Sequence, residues 1–182
     1  MIMDDMSDQG FPLTALREIK YLSTLRHENI VSIRQVIDSK PNIKNKFRGS
    51  YFLLFDYLAF DLTAITDKSV IFSIPEIKCI MKQLLTGLVY LHDNKNLAHR
   101  DIKGANILLS RTGQVQIADF GLARMINPNN KNNQYTTRVV TLWYRAPELL
   151  LGYRNYNFGV DIWSIACVFV ELVTGQVLFR AN

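Results

Sequence analysis

Apolar residues at helical spacing predict two long helices. Four of them recur three residues apart near the start of the chain: Leu16, Ile19, Leu22 and Leu25. Pro12, a residue that favours the first helical turn, precedes this group. The second set follows a capping box in which Ser73 and Glu76 flank Pro75: Ile77, Ile80, Met81, Leu84, Leu85, Leu88 and Leu91. We expect this second helix to end in the polar residues 92–96.

Shorter apolar runs predict strands between and after these helices. Residues 30–37 and 51–57 are typical of extended segments, and the polar stretch 38–50 separates them. Further along, residues 107–109 and 115–117 flank Thr112-Gly113, which predicts a β-hairpin.

The chemistry-bearing residues lie at the ends of these predicted elements. Residues 99–106, read as His-Arg-Asp-Ile-Lys-Gly-Ala-Asn, fall in the loop before the hairpin, and Asp119 follows its second strand. The Asn106 amide oxygen and the Asp119 carboxylate are hard ligands suited to Mg²⁺. Asp101 is placed to accept a hydroxyl proton, and Lys103 to set a compact positive charge against a phosphate. The hairpin brings Asp101 and Asp119 together, as phosphoryl transfer from ATP requires.

Each of these residues has an ordinary interpretation when taken alone. An aspartate in a loop usually forms a turn, and a loop lysine is usually solvated. Their joint occurrence with Asp119-Phe120-Gly121 and Ala146-Pro147-Glu148 argues against coincidence.

The amino-acid composition and net charge of the chain indicate which general class of protein it belongs to. The 182 residues are 48% hydrophobic and 20% charged, which favours a globular domain. The net charge of +5 favours the binding of phosphates or of an acidic partner, but it is too small to indicate a nucleic-acid-binding protein. We interpret the basic residues within 40–48 as a solvated loop. Cys79 and Cys167 lie in helical patterns, which favours reduced thiols inside a cell. Neither a membrane-spanning run nor a signal peptide is expected.

Two further segments resemble the cyclin-dependent kinases, in particular their transcription-associated branch. Residues 11–18, Phe-Pro-Leu-Thr-Ala-Leu-Arg-Glu, are similar to the cyclin-binding helix of that branch, and residues 135–145 to its activation segment. Gly104 stands where cell-cycle members usually carry proline. The resemblance implies a protein kinase-like α+β fold, with a remnant of the small β-rich lobe at 1–58 and most of the large helical lobe at 59–182.

The resemblance also implies an ATP site with Mg²⁺ as its metal. Phe55 matches the gatekeeper behind the adenine, although from the residues alone it is an ordinary strand residue. The backbones of Asp56 and Leu58 would pair with the adenine edge, and Leu108 would form an apolar floor. Glu18 matches the glutamate that pairs with the phosphate-binding lysine of the family.

Regulation and substrate choice are implied in the same way. Thr136 matches the phosphorylation site of the activation segment. Three arginines match its phosphate ligands, although alone they are interpreted as unrelated surface ion pairs: Arg17, Arg100 and Arg124. Three further residues resemble the pocket that favours proline after the phosphorylated Ser or Thr: Val139, Val140 and Arg145.

Departures from the family pattern leave two hypotheses open. None of the nine glycines forms a Gly-x-Gly pair, and neither the strand lysine nor the arginine that pairs with Glu148 is found. The first hypothesis is a cyclin-activated, nuclear Ser/Thr kinase acting before proline, with RNA polymerase II C-terminal repeats as its substrate. The alternative is a catalytically impaired fragment or cyclin-binding module, and we expect weak or absent activity from the chain as written.

Overall fold

The computed structural model describes residues 13–40, 50–127, 129 and 134–180. Within these ranges helices and short strands alternate in a mixed α+β order. The helices are α1 (Leu13–Thr24), α2 (Leu62–Thr66), α3 (Ile74–Val89), α4 (Pro147–Leu150) and α5 (Gly159–Thr174). The strands are β1 (Ile33–Ser39), β2 (Ser50–Phe55), β3 (Phe60–Asp61), β4 (Leu97–Ala98), β5 (Ile107–Leu109), β6 (Val115–Ile117) and β7 (Arg124–Met125).

Helix α1 agrees with the predicted amphipathic segment, although its apolar face is only partly covered. Leu22 is buried in α1, and Leu25, which follows the helix directly, is buried beside it. Leu16 is 49% exposed, one turn and a half earlier. Pro12 lies outside the described residues. The covered end of α1 therefore faces the core, and the end near Leu16 faces solvent.

The two strands that follow are shorter than predicted. β1 and β2 pair antiparallel from Ile33 opposite Phe55 to Ser39 opposite Ser50. The preceding residues join another sheet, because Val31 N donates to Ile117 O at 3.0 Å and Ile117 N donates to Asn29 O at 2.9 Å. Residues 30–32 therefore do not extend β1, and the expectation of a strand over 30–37 is wrong at its start. The expected strand 51–57 likewise ends early, at Phe55.

Helix α3 begins at the predicted cap. Glu76 accepts hydrogen bonds from the backbone N and the Oγ of Ser73 at 2.8 and 2.7 Å. The face that carries Ile77, Ile80 and Leu84 is buried. The helix continues as a π-helical turn, Tyr90–Asn94, so that it ends within the polar run where the sequence predicts its end.

The predicted hairpin is confirmed at both strands. β5 and β6 pair from Ile107 opposite Ile117 to Leu109 opposite Val115, and Gly113 in the turn has φ +82°. β3 adds a third strand beside β5, and β4 pairs with β7. These two-residue strands are not predicted, because they are too short for an alternating pattern to appear.

Helix α5 packs against α3 and lies in the apolar core. Val160, Ile165, Val168 and Leu172 are buried along it. Cys167 is buried in α5 and Cys79 is exposed in α3, both as free thiols in helices, as expected. No helix in the described part of the chain combines the length and apolar character needed to cross a membrane.

Candidate active site

Asp161 holds the loop that carries the candidate catalytic residues. Its side chain, fully buried at the start of α5, accepts hydrogen bonds from His99 N and Arg100 N, each at 2.8 Å, and lies 2.8 Å from His92 Nε2. Burial by itself would raise the pKa of Asp161. The hydrogen bonds that its carboxylate makes with His92 and with the backbone N–H of Arg100 hold that pKa below its ordinary value. A charged carboxylate therefore fixes the loop from beneath, including Arg100 at φ +65°.

His99 joins this loop to the strand that leads to Asp119. Its Nε2 lies 2.9 Å from Ala118 O, and its Nδ1 accepts from Asp101 N at 3.2 Å. Complete burial lowers the pKa of His99, although Asp161 and the Ala118 carbonyl oppose the shift. The ring is therefore neutral, and Nε2–H is the donor to Ala118.

Asp101, Lys103 and Thr141 form a triangle of hydrogen bonds. Lys103 Nζ donates to Asp101 Oδ2 at 2.8 Å and to Thr141 Oγ1 at 3.1 Å. The Thr141 N and Oγ1 each donate to Asp101 Oδ1 at 3.2 Å. Asp101 is 6% exposed, and these hydrogen bonds fix the orientation of its carboxylate. A carboxylate held in this way can orient a hydroxyl group and accept its proton.

Asn106 and Asp119 are the candidate metal ligands. The Asn106 amide nitrogen donates to Asp101 O at 2.8 Å and to Asp101 Oδ2 at 3.0 Å, which leaves the amide oxygen as its ligand atom. Ala118 N donates to Asn106 O at 2.9 Å, so the residue before Asp119 lies beside Asn106. Asp119 is exposed at φ +63°, and its Oδ1 accepts from Gly121 N.

Glu18 lies close enough to Asp119 for their charges to interact. Burial raises the pKa of Glu18, and the negative charge of Asp119 raises it further. A cation between the two carboxylates would relieve this repulsion. The structure thus brings Glu18 of α1 near Asp119, and the role predicted for Glu18 stays a prediction.

The predicted adenine-binding residues lie at the end of β2, in the residues before β3, and in β5. Phe55 ends β2 and is 38% exposed. Asp56 follows it, and its carboxylate forms an exposed ion pair with Arg34 at 2.7 Å. Leu58 is half-buried before β3, and Leu108 pairs with Asp61 in the β3–β5 register. The roles of these four residues stay predictions.

The predicted substrate-pocket residues form a direct contact. Arg145 Nε donates to Val139 O at 2.9 Å, and Arg145 Nη2 donates to Val140 O at 2.8 Å. Val140 has φ +65°, a conformation that β-branched residues rarely adopt. The arginine therefore holds a strained backbone turn and occupies its carbonyl oxygens.

Two of the three predicted phosphate ligands lie near each other. Arg100 is buried, with Nε donating to Leu122 O and Nη1 to the Tyr156 hydroxyl, both at 2.8 Å. Arg124 lies opposite Ala98 in the β4–β7 pair, and Ala98 precedes Arg100 by two residues along the chain. Arg17 is half-buried on α1 and has no ion pair with a described residue.

Sequence reasoning missed three residues of the site. Asp161 had a signal, since it is an acidic residue in the first turn of an almost wholly apolar helix. Thr141 and Tyr156 had none, because their contacts join segments 40 and 56 residues apart along the chain.

The family model for the protein kinase domain matches residues 2–182. Cyclin-dependent kinase C-1 of Oryza sativa subsp. japonica is 47% identical, over 94% of this chain and 35% of its own length. Human Cyclin-dependent kinase 9 is 44% identical, over 100% of this chain and 49% of its own. The crystal structure of the yeast RNA Pol II CTD kinase CTDK-1 complex is similar with a TM-score of 0.85 and 41% identity, over 97% of this chain and 55% of that one.

These similarities confirm the fold expected from the resemblance. The protein kinase-like α+β architecture matches along nearly all of the chain. The chain spans between about a third and a half of the length of these curated relatives. The division into lobes at residue 58 stays a prediction.

Proposed function

The chain belongs to the protein kinase domain family, and we propose that the protein carrying it is a cyclin-dependent serine/threonine kinase. The observation that carries this proposal is the triangle of Asp101, Lys103 and Thr141 beside Asn106. In the reaction, the substrate hydroxyl oxygen bonds to the γ-phosphorus of ATP, and the bond to the departing ADP oxygen breaks. Asp101 orients that hydroxyl and takes its proton. Lys103 places positive charge beside the transferred group.

Mg²⁺ fits the oxygen ligands that Asn106 and Asp119 offer. The described residues contain no group of three His, Cys, Asp or Glu side chains arranged for a metal. Mg²⁺ characteristically uses one or two protein oxygens and takes its other ligands from phosphates and water. The ion would neutralise charge on the ATP phosphates. Glu18, Phe55, Asp56, Leu58 and Leu108 are the residues we assign to the rest of the nucleotide site.

The contact of Arg145 with Val140 supports a preference for proline after the phosphorylated residue. A substrate residue at that position normally seeks an acceptor for its N–H group. Here Arg145 already occupies the Val140 carbonyl oxygen. Proline lacks the N–H group and leaves no donor unpaired.

A cyclin is the proposed partner, and phosphorylation of Thr136 the proposed activating modification. The similarity to Cyclin-dependent kinase 9 and to the CTDK-1 complex supports both a cyclin and a polymerase-repeat substrate in the nucleus. The exposed Leu16 on α1 gives the partner an apolar contact. Phosphate on Thr136 would pair with Arg100 and Arg124, and with Arg17 if α1 moves toward them.

The test is phosphotransfer by the full-length protein with a transcription-class cyclin, Mg²⁺-ATP and a Ser-Pro repeat peptide. Asp101→Asn removes the proton acceptor and should lower kcat at least about a hundredfold. Asp93→Asn, at an exposed site on the π-helical turn, is the matched control and should retain the rate. Cyclin binding with equal background turnover from all three proteins would favour the interaction module instead.

A further inference from the structure

Tyr156 links the loop at residues 99–106 to the segment at residues 135–145. The residue lies between α4 and α5 and is 5% exposed. Its hydroxyl accepts from Arg100 Nη1 at 2.8 Å and donates to Thr136 O at 2.7 Å. The Tyr156 hydroxyl thus donates a hydrogen bond to the segment of Thr136 and accepts one from the loop of Arg100.

A second contact docks the same stretch of backbone. Tyr135 N donates to Arg154 O at 2.8 Å, and the rings of Tyr135 and Tyr156 pack with centroids 5.5 Å apart. The Tyr135 hydroxyl accepts from Asn127 N at 3.2 Å. Residues 135 and 136 are therefore seated on the loop that carries Tyr156.

The Arg100 guanidinium lacks an anionic partner among the described residues. Arg100 is 3% exposed, and its side chain donates only to neutral oxygens, those of Leu122 and Tyr156, whereas Asp161 accepts from its backbone N–H. A buried guanidinium with neutral partners pays a desolvation cost that a nearby anion would offset. Tyr156 fixes one edge of this guanidinium and leaves further N–H groups for such an anion.

We propose that Tyr156 is the positioning residue that holds the Arg100 guanidinium and the Thr136 backbone in register for phosphate on Thr136. The inference rests on the proposed function, since the phosphate is the one proposed to activate the kinase. Before phosphorylation, the Tyr156 hydroxyl connects the two segments. After phosphorylation, it keeps Arg100 aimed at the new charge.

Tyr156→Phe tests this because it removes the hydroxyl and keeps the ring. Tyr153→Phe is the matched control, since Tyr153 lies in the same loop and its side chain is 66% exposed. The activity readout, in the full-length protein with cyclin, is the ratio of rates between the Thr136-phosphorylated and unphosphorylated forms. The structural readout is hydrogen exchange of the Tyr135 amide in the unphosphorylated protein.

We expect Tyr156→Phe to lower the activation ratio about tenfold and to speed exchange of the Tyr135 amide several-fold, with Tyr153→Phe unchanged. Proportional losses in both phosphorylation states would indicate a general folding defect and would overturn the inference. Equal ratios in Tyr156→Phe and wild type would also overturn it, with the proposed function intact. A wild type without turnover in either state would defeat the proposed function, and the amide exchange would still decide whether Tyr156 anchors the segment.

Discussion

Two charged side chains around the loop at residues 99–106 are buried, whereas two at the β1–β2 sheet are exposed. Around the loop, Asp161 and Arg100 are buried, and both make several hydrogen bonds to groups from other segments. On the sheet, Arg34 and Asp56 pair at 2.7 Å with side chains 67% and 55% exposed. The same kind of charged group is thus a fixed structural support in one region and a solvated contact in the other. Burial, rather than distance, distinguishes them.

The largest effect should come from Asp161→Asn, which tests the buried side of this comparison. The amide replaces one acceptor oxygen with a donor that faces the N–H groups of His99 or Arg100. Breaking a buried charged network in this way should lower the free energy of unfolding by about 3–5 kcal/mol. Urea denaturation of the full-length protein measures the change.

Asp93→Asn is again the matched control, because its side chain is exposed and it too exchanges a carboxylate for an amide. It should unfold at the wild-type urea concentration. If Asp161→Asn proved as stable as this control, the view that Asp161 supports the loop would be wrong.

A smaller effect should appear as pH dependence from His99. Burial holds the pKa of His99 below its ordinary value of 6.5, so the unfolded chain binds a proton at that residue before the folded protein does. The stabilisation is complete above pH 6.5 and is lost as the pH falls from there toward the lower folded-state pKa. The slope from this residue is at most about 1.4 kcal/mol per pH unit.

The measurement is urea denaturation at several values between about pH 5 and pH 8, for wild type and His99→Gln. The glutamine amide can still donate to Ala118 O but does not titrate. We expect a flatter pH profile in the variant, whatever its absolute stability. Identical slopes would show that His99 does not contribute.

The same contrast explains how much the sequence predicted. The hairpin over 107–109 and 115–117 was correct because its turn residues and its apolar strands agree locally. The start of β1 was wrong because residues 29–31 bond to Ile117, a partner 86 residues away or more that no local pattern reveals.

In the candidate site, too, residues with local sequence signals were predicted, and residues that depend on distant contacts were not. The motif residues Asp101, Lys103 and Asn106 were identifiable because they lie within six positions and carry their chemistry in their types. Thr141, Asp161 and Tyr156 contribute through contacts with distant segments of the chain, and only the folded structure shows those contacts. Gly104 is a related case: a Cβ there would lie 2.5 Å from Thr63 Oγ1 in α2, a close approach that explains the glycine without reference to any family.

The smallest effect should come from Arg34→Gln, which tests the exposed side of the comparison. The variant removes both hydrogen bonds to Asp56, at 2.8 and 2.7 Å, yet each partner lies mostly in water before and after the change. Because water and salt screen such a pair, the urea midpoint should match wild type at both about 0.1 M and about 1 M salt. A clear loss of stability at low salt that disappears at high salt would show that the exposed pair supports the sheet after all. Burial would then be insufficient to separate the two regions, and the geometry of the two-point contact would have to be counted as well.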